Sequence, residues 1–293
     1  MSIPYDASRE SLYEPGKADN FFNIKHTPIQ FFLENEAALC VEMSRLAYVK
    51  EESRLDKYLG IAGFTKAKAI NYTHEGTQVF IASKQNGDKT LIVISFRGTE
   101  KDDPSDLFVD ARFLLEPWAD NSGNSLGKVH KGFAEALLKD GILEEIKNYL
   151  SSIDRPARVL VTGHSLGAAL ATLTASRVPV DHLYTFGSCL VGDADFAQTM
   201  QKVNHTRFVD CCDIVTLVPP SSFGYTHVGV LKYIDRNGKL RGKVCGLRIL
   251  IDRLRARADY AVNYALIDGM VLSRDFADHA PINYVSGVTG LRS

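Results

Sequence analysis

The pentapeptide Gly163-His164-Ser165-Leu166-Gly167 constrains this chain more than any other stretch, because two glycines bracket a serine between apolar segments of different character. Val159-Leu160-Val161 before it reads as a short buried strand, and Ala168-Ala169-Leu170-Ala171 after it as the start of a closely packed helix. A chain that passes from strand to helix in so few residues must turn sharply, and side-chain bulk at the flanks would keep the backbone from folding against itself. The serine is then held in a strained conformation at the apex of the turn, where a nucleophile belongs. A glycine-rich strand-to-helix turn without chemistry is the plainer alternative at this point.

The rest of the chain supplies the elements such a turn needs. Residues 36–50 show helical recurrence with good helix formers, and 79–82 and 91–96 read as strands joined by a hairpin at Asn86-Gly87-Asp88. One helix is expected over 133–150, and strands over 182–186 and 206–210. Segments 228–234 and 240–244 flank a second hairpin signal, Asn237-Gly238. From 247 to 267, Leu247, Leu250, Ile251, Leu254, Ala258, Ala261 and Ala265 form a helical stripe. Residues 1–27 are polar and turn-rich, an arm laid over the body. Without an internal repeat or a Pro/Gly/Ser-rich linker, residues 1–293 read as a single α/β domain with a mostly parallel central sheet flanked by helices.

Charge and cysteines narrow the setting. The 34 basic and 35 acidic side chains leave a formal charge of −1, which gives no electrostatic case for a nucleic-acid partner. No apolar run reaches transmembrane length, and the first residues hold no apolar secretory segment. Cys40, Cys189, Cys211, Cys212 and Cys245 are odd in number and lack framework spacing, which favours reduced thiols and a cytoplasmic location; export by a signal-independent route would look the same. Cys211-Cys212 beside Asp213 lacks a CxxC spacing, so buried structural thiols are expected rather than a metal or thiol site.

A serine hydroxyl is a weak nucleophile at neutral pH and needs a base, which in turn needs an orienting carboxylate. In folds with this elbow the acid and then the histidine follow the serine. Four histidines do so: His182, His205, His227 and His279. His182 begins a strand and His205 precedes another, so both are poorly placed to present an imidazole at the carboxyl edge of the sheet. His227 stands at the entry to a strand, where a polar wall of the pocket is the better reading, whereas His279 lies in a late loop, the natural place for the base. Asp213, just beyond the 206–210 strand, is the candidate acid; Asp210 is its rival, and Asp193 and Asp195 read as turn or cap residues. The oxyanion formed on attack needs donors. The backbone N–H of Leu166 is one by the geometry of the turn, and Thr99, after the strand ending Ser95-Phe96-Arg97-Gly98, offers the second. Arg97 is read as a structural arginine rather than a carboxylate clamp.

Taken in order, several motifs resemble the class 3 lipases, the family of the filamentous-fungal triacylglycerol lipases with relatives in bacteria and plants. They are Ser95-Phe96-Arg97-Gly98-Thr99, Val129-His130-Lys131-Gly132-Phe133, the 163–167 turn, Thr185-Phe186-Gly187-Ser188 with Val191-Gly192, Asp213-Ile214-Val215 with Pro219-Pro220, Tyr225-Thr226-His227-Val228-Gly229, and Asp278-His279. The resemblance covers about residues 36–284 and suggests a bacterial-type member. It implies an α/β-hydrolase fold with Ser165 as nucleophile, Asp213 as acid, His279 as base, and an oxyanion hole at Thr99 and Leu166. His130 and His164 then fall at structural positions. Cys189-Leu190 replaces the Pro-Arg of many relatives, and the helix over 247–267 is longer than in the fungal pattern.

In the family the segment after the oxyanion strand is often a lid. Here residues 100–110 carry Pro104, Leu107 and Phe108, which fit an apolar lid contact as well as they fit a solvated loop leading into a strand at 111–115. Arg248, Arg253, Arg255 and Arg257 fit either anionic lipid headgroups or a charged solvent face. The expected activity is hydrolysis of carboxylic esters through an acyl-enzyme, needing no metal or organic cofactor. Lipid esters are the substrates the resemblance implies, with a transient lipid-interface contact; the residues by themselves support an ester with an apolar acyl group. A phospholipase, a short-chain esterase, and a lipase-like interaction protein without catalysis are the alternatives.

Overall fold

A computed structural model describes residues 2–23, 29–70, 77–98, 113–154 and 156–293. The strands are β1 (Thr65–Ile70), β2 (Val79–Asn86), β3 (Lys89–Phe96), β4 (Leu115–Ala119), β5 (Ser125–His130), β6 (Ala157–His164), β7 (His182–Phe186), β8 (His205–Asp210), β9 (Val230–Ile234) and β10 (Leu240–Arg241). Eight of them form one sheet in the order β1-β2-β3-β6-β7-β8-β9-β10, and β4 pairs with β5 as a separate ribbon. From β3 to β9 every neighbouring pair is parallel, while β1, β2 and β10 join antiparallel at the two sides. The mostly parallel centre and both hairpins are as the sequence suggests.

Alternation along the strands divides the core into two layers. In β3, Leu91 and Val93 face the helices Glu36–Leu46 and Pro281–Val288, while Ile92, Ile94 and Phe96 face Lys131–Leu138 and Leu166–Ala175. The Glu36–Leu46 helix is buried almost throughout, so its carbonyls are available to the sheet. Ser95 donates to the Met43 carbonyl at 3.0 Å and Thr162 to that of Cys40 at 3.2 Å. These bonds seat two polar strand residues in an apolar core.

The described part of the N-terminal arm is pinned at several places. Buried Arg45, paired with Glu42, donates to the carbonyls of Pro15 and Asp19, and Asn283 donates to that of Asp6 at 2.6 Å. The single helix expected over 133–150 is instead two, Lys131–Leu138 and Ile142–Ser151, separated by a 3-10 turn at Lys139–Gly141. Gly141 takes a left-handed φ of 70°, which ends the helical hydrogen-bond ladder although the apolar periodicity continues across it. Among the described residues no helix is long and apolar enough to cross a membrane.

Candidate active site

The site is assembled at the carboxyl edge of β6, β7 and β8, where parallel sheets leave a crevice between diverging loops. Ser165 follows β6 directly, with φ 59° and ψ −128°, and is the one non-glycine residue at positive φ among those described. That conformation costs on the order of 1–3 kcal/mol and must be imposed by its surroundings. A Cβ at Gly163 would strike the Gly167 carbonyl, and one at Gly167 would strike that of Phe96, so both flanking glycines are required by close approach. The Ser165 N–H donates to the Phe186 carbonyl at 3.0 Å, fastening the turn to β7.

Asp213 leaves the end of β8 through a tight turn in which its N–H donates to the Asp210 carbonyl at 2.8 Å. It is fully buried, and its carboxylate accepts from the Val215 N–H at 2.9 Å, the Tyr284 hydroxyl at 2.5 Å and His279 Nδ1 at 2.9 Å. His279 sits just past the short helix Arg274–Ala277, and its Nε2 lies 2.9 Å from Ser165 Oγ. With Nδ1–H donated to the carboxylate, Nε2 is left to accept the serine proton. The serine and histidine are 2% and 4% exposed, so the chain of bonds is sheltered from bulk water. Gly187, at φ 59°, passes so close that an added Cβ would stand 2.9 Å from Asp213 Oδ2 and 3.1 Å from His279 Nδ1. Only glycine fits there.

A second histidine supports the first. His164 Nε2 lies 2.8 Å from the carbonyl of His279, which can only accept, so the proton is on Nε2 and Nδ1 accepts from the Tyr48 hydroxyl at 2.9 Å. Burial, with His279 nearby, holds the His164 imidazole well below its ordinary pKa, and it stays neutral.

Beside the acid lies a second buried layer of charge. Asp278 accepts from Arg274 at 3.1 Å, from the Tyr5 hydroxyl at 2.8 Å and from the Cys212 N–H at 2.9 Å. Asp210 pairs with Arg292 while burial pushes its carboxyl up to about 7, so the rival acid is committed to a structural pair. Cys211, Cys212 and Asp278 cluster closely enough to suggest metal ligands. Their donors are engaged elsewhere, however: Asp278 by Arg274 and Tyr5, and Cys211 by protonation, its thiol pushed up by its bond with Cys212 and by burial.

The structure thus brings Ser165, Asp213 and His279 together and leaves His227 out. His227 makes no hydrogen bond to the three; burial and the nearby Arg207 and Arg253 push its pKa down to about 3. Asp193 caps the Ala194–Thr199 helix by accepting from the Phe196 N–H, and Arg97 donates to Gln78. Leu166 is the first residue of its helix, so its N–H has no carbonyl partner within that helix. Thr99, Leu107 and Phe108 lie outside the described residues. Sequence reasoning missed Tyr284 and the hydroxyl of Tyr48. Nothing local marks either: Tyr284 stands five residues after His279, in the separate helix Pro281–Val288, and Tyr48 lies 116 positions from His164.

Residues 93–223 match the family described as lipase (class 3), a segment that contains Ser165 and Asp213. The chain is 30% identical over 256 residues to a triacylglycerol lipase of Arabidopsis thaliana, covering 67% of this chain and 48% of that one. It is 36% identical over 116 residues to a secreted mono- and diacylglycerol lipase of Fusarium solani, covering 36% and 34%. The crystal structure of a lipase from Rhizopus microsporus var. chinensis superposes with a TM-score of 0.54 at 25% identity, covering 80% of this chain and 83% of that one. The fold is therefore that of the lipase-like α/β-hydrolases. The chain spans about half the length of the Arabidopsis relative. Both curated relatives are plant or fungal and lend no support to a bacterial affiliation; the secreted naming of one does not fit a cytoplasmic default.

Proposed function

We propose that this chain is a serine hydrolase of the class 3 lipase family that cleaves carboxylic esters of lipids through an acyl-enzyme. The observation that carries the reading is the unbroken bond chain Ser165 Oγ–His279 Nε2 and His279 Nδ1–Asp213 Oδ2, each 2.9 Å, at a strained strand-to-helix turn. His279 takes the proton as Ser165 attacks the ester carbonyl, then hands it to the departing alcohol; water releases the acyl group by the same path in reverse. Asp213 fixes the imidazole tautomer and stabilises the imidazolium. The Leu166 N–H, with Thr99, is assigned to the oxyanion. We read residues 1–293 as one such unit, with 1–27 as its arm.

The test is a fluorophosphonate probe with an ester panel that varies acyl length and head group. Labelling of Ser165 and turnover of long-chain acylglycerols, both lost in Ser165→Ala, are expected. No labelling of the folded protein would make it a lipase-like interaction protein. A preference for phospholipids or for short soluble esters would move it to those classes.

A further inference from the structure

The helix Gly246–Asn263 is anchored by one side only. Arg253 donates to the Cys211 carbonyl at 2.7 Å, Asp252 accepts from the Tyr233 hydroxyl at 2.9 Å, and Ala256 and Tyr260 are buried. At about 100° per residue, Leu247, Leu250, Ile251, Leu254, Ala258, Ala261 and Val262 fall on the opposite side in a stripe roughly 120° wide. That stripe stands in solvent: Leu247 is 66% exposed, Leu250 52%, Leu254 57% and Val262 85%. Leu266 and Ile267 continue it beyond the helix. Single exposed leucines are ordinary, whereas a contiguous row of them marks an interaction surface.

The charges along the stripe identify its occupant. Arg248 and Arg255 fall on one margin and Arg257 on the other. Arg257 pairs with Asp275, but Arg248 and Arg255 make no ion pair among the described residues. The helix's own acids, Asp252 and Asp259, both pair with Arg236, whose single charge offsets one of the two, so the four arginines of the helix still outweigh its acids. At the start of the helix a cleft of about 660 Å³ adds Lys243 beside Arg248, while its acidic residues Asp235 and Asp252 pair with Arg241 and Arg236. An apolar stripe with cationic margins suits a helix lying in the headgroup boundary of an anionic lipid layer.

We infer that Gly246–Asn263 is a docking helix for an anionic phospholipid surface, with the leucines entering the acyl boundary and Arg248, Arg255 and Lys243 meeting the phosphates. The helix is tied to the acid-bearing loop, because Arg257 holds Asp275 and the Asp275 carbonyl accepts from the Ile214 N–H at 3.2 Å. Docking is a separate property from ester hydrolysis and does not require it. It is tested with full-length Ser165→Ala protein and vesicles of phosphatidylcholine alone or mixed with phosphatidylglycerol. Binding to the mixed vesicles is expected, weakened on the order of a hundredfold by Leu250→Ser with Leu254→Ser. Arg248→Gln with Arg255→Gln should weaken it on the order of thirtyfold and flatten its salt dependence. Because these side chains are exposed, unchanged melting temperatures are expected in every variant. Equal binding to neutral vesicles, no binding at all, or binding indifferent to the leucine pair would overturn the inference. So would a concentration-dependent dimer abolished by the leucine pair, which would give the face to a second copy of the chain.

Discussion

His164 and His279 lie with ring centroids 4.5 Å apart, both buried and both hydrogen-bonded at each ring nitrogen, yet they are chemically opposite. At His279 the Nδ1 lies against a carboxylate, which in the proposed mechanism stabilises the positive charge formed as Nε2 takes the serine proton. At His164 the neighbours are a carbonyl and a tyrosine hydroxyl, neither charged; the bond to the carbonyl favours an imidazolium, but burial and the nearby His279 outweigh it. The contrast is sharper because His164 adjoins Ser165 in sequence while His279 is 114 positions away. On the proposed assignment the base is distinguished by the partner on its far nitrogen, not by sequence proximity.

Removing that partner's charge should break the contrast most severely. Asp213→Asn frees the imidazole to adopt the wrong tautomer, and we expect ester turnover to fall by roughly 10⁴-fold with little loss of folded protein. An effect under tenfold, measured as kcat, would remove Asp213 from its assigned role. Tyr284→Phe is the milder form. It deletes the 2.5 Å bond to the acid and the acceptor for the Asp210 N–H, and should lower kcat by about tenfold, the loss of one bond to a charged group. His227→Ala should change kcat only a few-fold, because it alters a neighbouring wall and not the bond chain; a loss matching that of His279→Ala would reverse the assignment of the base.

The sequence displays the part of this site that depends on local geometry. The glycines around Ser165, the strand before it and the small residues after it are all readable, because close backbone approach excludes side chains and so leaves a mark in residue type. The order serine, acid, histidine limits the partners to a few positions, and the loop positions of Asp213 and His279 complete the choice. The supporting bonds are less legible. Tyr48 reaches His164 across 116 positions, and Arg292 reaches Asp210 across 82, so no window of sequence contains both members of either pair. The same limit applies to the helices. Apolar periodicity shows that a stripe exists over 247–267, but its direction depends on which side finds Cys211, Tyr233 and Tyr260. The stripe faces outward because the inner side is already occupied. Continuous periodicity likewise hid the break at Gly141, which changes the backbone without interrupting the apolar pattern.

The smallest effect separates the two histidines by stability. In the unfolded chain His164 titrates near its ordinary value of 6.5, whereas in the folded protein burial keeps it neutral well below that. Below pH 6.5 the unfolded state therefore binds a proton that the native state refuses. The stability this group contributes is complete above 6.5 and is lost as pH falls toward its folded pKa, at ~1.4 kcal/mol per pH unit. His205 and His227, both pushed down to about 3, act in the same direction, so the wild-type slope is a sum over several buried rings. His164→Gln should cost about 1–2 kcal/mol at neutral pH by disturbing the bonds to Tyr48 and the His279 carbonyl. It should also remove one proton's share of the acid slope between pH 6 and 4, measured by urea unfolding across that range. An unchanged slope would mean that His164 is protonated in the folded protein, and the two rings would then differ by position alone.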